Sequence, residues 1–179
     1  MKRSIISMIA VLTVCGITVF ASSATAIDGP LANAAVSFGQ WDPNDPDLVS
    51  PLDRIVADPG MGVGNNHELI PQIATIKQGG SVNFNISGGH VVAIYDNGTR
   101  PEDIDVVNTE PASTCATSAG GVLSDSNDRI YRGPCFTGRR DGVEVVKFSK
   151  PGTYLVICAR RNHFVNDGMF GFVKVLPGK

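Results

Sequence analysis

In residues 81–87, Val82, Phe84 and Ile86 alternate strictly with Asn83, Asn85 and Ser87. A period of two with one apolar edge suits a half-buried strand, because successive side chains of an extended chain point to opposite faces. The same texture recurs in QIATIK (72–77), HVVAIYD (90–96), VEVVKFS (143–149), TYLVIC (153–158) and MFGFVKV (169–175). Turn formers separate these runs: QGG at 78–80, NGTRP at 97–101 and KPG at 150–152. No segment after residue 72 carries a 3.6-residue apolar stripe. The chain therefore predicts an all-β architecture, a Greek-key β-sandwich or barrel.

The flanks of this pattern differ from it. Residues 1–26 open with Lys2 and Arg3, continue with an apolar run from Ile5 to Phe20 and end in Ala24-Thr25-Ala26. This order predicts a secretory signal peptide cut after Ala26. The run is interrupted by Ser7, Thr13 and Thr18 and falls short of the ~20 apolar residues that span a bilayer. A periplasmic or otherwise exported mature chain with no membrane span is the expectation. Residues 27–66 are dense in turn formers (WDPNDPD, DPGMGVGNN) with only AVSF as a short strand, so they predict an irregular N-terminal arm. One domain, 67–179, remains for the core.

Removal of Lys2 and Arg3 leaves 13 basic against 17 acidic side chains, a net charge of −4. A mild acidic balance without Lys/Arg runs argues against nucleic acid as a partner. Three cysteines would remain in a compartment where disulfides form. Cys115 and Cys135 stand in a loop-rich excursion, 110–141, that holds one short possible strand, RIYRG (129–133). A disulfide between them would pin this insertion and restrict the unfolded chain by ~3 kcal/mol. Cys158 is then left free.

Cys158 ends the strand TYLVIC, in which Tyr154, Val156 and Cys158 share one face and Leu155 and Ile157 the other. His163 follows in the loop, and Met169 heads the last strand. If those strands are neighbours, a thiolate, an imidazole and a thioether converge, a soft donor set suited to copper with the methionine as a weak axial ligand. The further imidazole a trigonal site needs is at hand in His90, at the start of HVVAIYD. In an antiparallel pair the end of one strand meets the start of the other.

With an early His and a late Cys-His-Met cluster, together with the LIP entry, IKQGGSVNFNI, PGTYLVIC and GMFGFVKV, the chain resembles the cupredoxins, the blue-copper proteins related to plastocyanin, pseudoazurin and rusticyanin. The resemblance covers residues 67–175. It implies one type 1 copper ion held by His90, Cys158, His163 and Met169, cycling between Cu(I) and Cu(II), in a monomeric electron carrier rather than an enzyme. It also implies that electrons leave at the edge of His163, with Phe164 and Phe170 forming an apolar docking patch for redox partner proteins. His67 would stand near the metal, either behind the ligands or as an alternative to Met169, with Met61 and Glu68 as lesser candidates of the same kind. The plainer reading of His67 is a loop histidine in a hydrogen bond.

Three details depart from the family pattern. Val91 stands after the first histidine where Asn is usual, ARRN (159–162) lacks the usual proline, and five residues separate His163 from Met169. Two other functions use the same residues. Copper delivery or storage would need an exchangeable site, and a thiol enzyme would pair Cys158 with His163 as nucleophile and base. A dinuclear copper centre would need a second cysteine in this loop, and the paired His-x-His ligands of multicopper oxidases are absent from the sequence.

Overall fold

The structure, a computed structural model, describes residues 31–41, 65–110, 121–135 and 141–178. In chain order the strands are β1 (Leu31–Trp41), β2 (Asn65–Ile70), β3 (Ile73–Ser87), β4 (Val92–Asn97), β5 (Arg129–Arg132), β6 (Asp141–Lys147), β7 (Gly152–Cys158) and β8 (Phe170–Leu176). A one-turn helix, α1 (Arg161–Val165), interrupts the connection between β7 and β8. The strands run β2-β1-β3-β8-β7-β4-β5, with β6 also paired to β3. This is the β-rich architecture the alternation predicts.

β3 makes the network fold over. Residues 73–77 pair in parallel with β8, whereas 81–86 pair in parallel with β1 and 81–87 antiparallel with β6. The sequence reads QGG as a turn between two strands, but the structure carries one strand through it. Gly79 adopts φ +85°, and a side chain on Gly80 would run into the Ala32 carbonyl. The glycines thus bend a continuous strand from one layer into the other instead of ending it.

Two apolar clusters result. The main one joins Val36 and Phe38 of β1, Val82, Phe84 and Ile86 of β3, and Val92 and Ile94 of β4 to Tyr154, Val156 and Cys158 of β7. The second gathers Leu155 and Ile157 on the opposite face of β7, with Ala93, Tyr95, Ile104, Leu123 and Phe164. The two faces of TYLVIC therefore separate as the alternation predicts, and both are buried. The excursion after β4 explains why: its residues Ile104, Val122 and Leu123 cover the outer side of β4 and β7.

The expected irregular arm needs correction within the described residues. AVSF lies inside the 11-residue strand β1, whose Val36 and Phe38 are buried at 2% and 0% exposure. Between Leu31 and Trp41 at its ends, only Val36 and Phe38 are large and apolar, too few to announce a long strand in sequence. RIYRG contains β5 as expected. The signal segment, residues 42–64 with Met61, and Cys115 of the expected disulfide lie outside the described residues. Among the described residues no helix is long and apolar enough to cross a membrane.

Candidate metal centre

β4 and β7 run antiparallel with Val92 opposite Cys158. This register sets His90, two residues before Val92, just beyond the last residue of β7. The ends of the two strands therefore coincide, as the sequence predicts. The chain then turns through α1 and returns as β8, antiparallel to β7 with Ile157 opposite Phe170.

His90, His163 and Cys158 meet at this end. His90 Nδ1 lies 3.0 Å from His163 Nδ1, and Cys158 Sγ lies 3.6 Å from the first and 3.5 Å from the second. A point inside this near-equilateral triangle of two nitrogens and one sulfur is about 2 Å from each corner, the length of a metal–imidazole bond. Cys158 is fully buried and is the free cysteine among the described residues. Met169 is fully buried in the same apolar cluster as Cys158. Its backbone ties the strand end to both neighbours, its N–H donating to the His163 carbonyl at 2.9 Å and its carbonyl accepting from the Cys158 N–H at 3.0 Å.

The protonation states suit a soft metal ion. Burial, reinforced by the neighbouring His163, His67 and Arg160, holds His90 down to about 2. Burial likewise brings His163 to about 4. Both rings keep lone pairs through neutral pH. Burial pushes the Cys158 thiol up to about 11, although the backbone N–H groups of Val91 and Arg160 point at the sulfur and favour its thiolate. The apolar Val91 side chain thus removes no donor from the sulfur, because the backbone supplies one at that position.

The rings are held from behind. The His90 ring hydrogen-bonds to the Ser87 backbone, and its Nε2 lies against Gly39, where a side chain would collide with it and with the Ser87 carbonyl. Gly39 sits at φ +78°, at the register shift between Phe38 and Gln40 in the β1–β2 pair. This bulge opens the space the ring fills. The alternation could not reveal Gly39, because it sits where the pattern breaks.

His163 is carried by α1. The Phe164 side chain plugs that turn into the second cluster at 8% exposure. Arg161 N–H donates to the Gly121 carbonyl at 3.1 Å, its Nε donates to the Val106 carbonyl at 2.7 Å, and Leu123 N–H donates to the Ala159 carbonyl at 2.8 Å. The excursion thereby clamps the loop. The expected docking patch is corrected on this point: Phe164 is core, and Phe170 is half-buried with its ring 6.3 Å from it. The exposed apolar residue of the turn is Val165, at 42%.

His67 lies in β2 and stacks on His163, with ring centroids 3.8 Å apart and planes 19° from parallel. Its Nδ1 is 2.6 Å from Asp167 Oδ2. One ring nitrogen from each of His67, His90 and His163 lies within 4.8 Å of the other two. Nitrogen lone pairs lie in the ring plane, so near-parallel stacked imidazoles do not aim at a common ion. His67 covers the face of His163 and does not complete the triangle. Asp167 is exposed and escapes sequence reasoning, although its place four residues after His163 is a usable signal. Arg160 is half-buried, with its guanidinium packed on Gly89 beside His90.

No protein-family model matches the chain, and no curated protein sequence matches it. Solved structures that align with it include sodium-dithionite-reduced auracyanin from the photosynthetic bacterium Roseiflexus castenholzii, 18% identical over 83% of this chain and 100% of that one, with a TM-score of 0.49. Auracyanin A, a "blue" copper protein of Chloroflexus aurantiacus, is 16% identical over 83% of this chain and 100% of its own, with a TM-score of 0.46. A purple cupredoxin from Nitrosopumilus maritimus is 14% identical over 80% and 99%, with a TM-score of 0.37.

Proposed function

We propose that this chain is an exported mononuclear copper protein of the cupredoxin kind, a periplasmic electron carrier. The observation that carries this reading is the part-buried triangle of His90 Nδ1, His163 Nδ1 and Cys158 Sγ, with sides of 3.0, 3.6 and 3.5 Å. Two imidazoles and one thiolate in a trigonal set, with a thioether as axial donor, select copper among the first-row metals. His90, His163 and Cys158 would hold the ion, and Met169 would supply the axial contact. When bound, copper supplies a reversible one-electron couple between Cu(II) and Cu(I).

The residues of the chain do the rest. Full burial of Cys158 and 4% exposure of His90 exclude water from the donors. The Ser87 and Gly39 contacts fix one ring, and the clamped turn fixes the other. Donors held this way move little when the charge at the centre changes, which keeps the cost of rearrangement low. A partner would exchange electrons at the half-buried His163, the ligand nearest the surface. The protein works as a monomer, and the Cys115–Cys135 disulfide would pin the excursion that clamps the loop.

Nucleophilic catalysis has a specific observation against it. An attacking cysteine needs a depressed pKa and access to substrate, whereas Cys158 is fully buried with its thiol raised to about 11.

The test is addition of Cu(II) to the purified apo-protein with recording of its visible spectrum. An intense thiolate-to-copper band that is absent from a folded Cys158→Ser variant is expected. If no coloured species forms and the thiol alkylates freely in the presence of copper, the reading fails. Fast loss of copper to a modest chelator would move the assignment from electron carriage to delivery.

A further inference from the structure

We propose that His67, held by Asp167 and flanked by Glu68, is a capture site for incoming divalent copper, which it passes to His163 and the buried donors. The proposal rests on the copper reading above. Cys158 and His90, at 0% and 4% exposure, have almost no surface of their own, so an ion from solvent must approach past a neighbouring group.

Two approaches differ in charge. On one side the Arg160 guanidinium packs on Gly89, its Nη2 2.7 Å from where a Cβ on that glycine would stand, and presents a cation beside His90. On the other, His67 opens into a surface cleft of about 460 Å³ lined by Asn66, His67, Glu68 and Asp167. A cleft walled by carboxylates concentrates cations, and a guanidinium repels them. The His67 side is the favoured entrance.

His67 is prepared for a metal ion. When Asp167 Oδ2 accepts the Nδ1–H bond at 2.6 Å, Nε2 is left with its lone pair. A carboxylate behind an imidazole fixes the tautomer and the orientation of the ring, the usual support for a metal-binding histidine. The His67 side chain is 28% exposed and that of Asp167 40%, so solvent reaches the pair.

The rings are adjacent, with one ring nitrogen from each of the three histidines within 4.8 Å of the other two. The 3.8 Å stack keeps the lone pairs of His67 and His163 in nearly parallel planes, so the two act in sequence and do not share the ion at rest. Capture displaces water from the ion and changes no oxidation state. At the second step the Cys158 S–H bond breaks, a sulfur–copper bond forms, and the proton leaves to the buffer.

The experiment is stopped-flow mixing of the apo-protein with Cu(II) sulfate, following growth of the thiolate band, in wild type, His67→Ala, His67→Phe and Asp167→Asn. Phenylalanine keeps the stack and removes the nitrogen. Loading slowed about tenfold or more in both His67 variants, and less in Asp167→Asn, with the band still forming in all, supports capture. Wild-type rates in His67→Phe overturn it, as does a final spectrum lost in both His67 variants, which would make His67 a resident ligand. A wild-type protein that never develops the band refutes the copper reading itself and the capture step with it. A normal wild-type band with unaltered variant rates refutes capture alone.

Discussion

The Met169 N–H donates to the His163 carbonyl at 2.9 Å and closes the loop between these residues. The five intervening residues, which look too many in sequence, are taken up by the end of α1 and the turn at Gly168, φ +65°. Met169 is therefore delivered to the core beside Cys158 despite the long spacing. With the side chain gone, Met169→Ala should lose about 2–5 kcal/mol of stability, read by urea denaturation of the apo-protein. Under the copper assignment it should also shift the reduction potential while leaving the thiolate band in place.

Gly39 makes room for the His90 ring, and its φ of +78° disfavours any residue with a Cβ. Gly39→Ala should destabilise the apo-protein by about 1–3 kcal/mol and weaken copper binding at least tenfold, measured by chelator competition. Wild-type affinity in this variant would show that the bulge does not position the ring.

Arg160 places a positive charge beside the centre, where it favours the thiolate of Cys158. Copper bound to two neutral imidazoles and a thiolate carries one net positive charge when oxidised and none when reduced. A nearby cation therefore favours the reduced form. Arg160→Gln should lower the potential by an interaction on the order of 1–2 kcal/mol, roughly 50–100 mV for a one-electron couple, and Arg160→Lys should retain most of it. Protein-film voltammetry on the three proteins decides.

Acid should destabilise the apo-protein through its histidines. The folded values, about 2 for His90 and about 4 for His163, lie below the ordinary 6.5. Between those values and 6.5 the unfolded chain binds more protons than the folded one, so stability rises with pH across that window and is lost as pH falls. Each histidine contributes at most about 1.4 kcal/mol per pH unit. Urea midpoints at pH 7, 6 and 5 should fall in that order, and about half as steeply in a His90→Gln variant, which keeps His163.

The β architecture and the separation of Cys158 from Leu155 and Ile157 were legible because alternation reports directly on which face is buried. The convergence of His90 with Cys158 was legible because an antiparallel pair brings opposite strand ends together. β1 was harder to see: its register is fixed by pairing with β3, and pairing partners leave no local mark. The burial of Phe164 was hidden for a related reason, since the surface that covers it comes from the distant Ile104 and Leu123. The His67–Asp167 pair spans 100 positions and is made by topology alone.

β4 and β7 are walled by apolar side chains on both faces, whereas within residues 66–70 of β2 the buried residue is Leu69. Amide hydrogen exchange should therefore be slowest along Ala93–Ile94 and Leu155–Ile157, where opening requires both clusters to separate, and faster around His67. The sulfur sits in the last part of the molecule to open and the outer histidine in one of the first. Metal exchange can then proceed by local breathing at the rim, with the remainder of the domain folded.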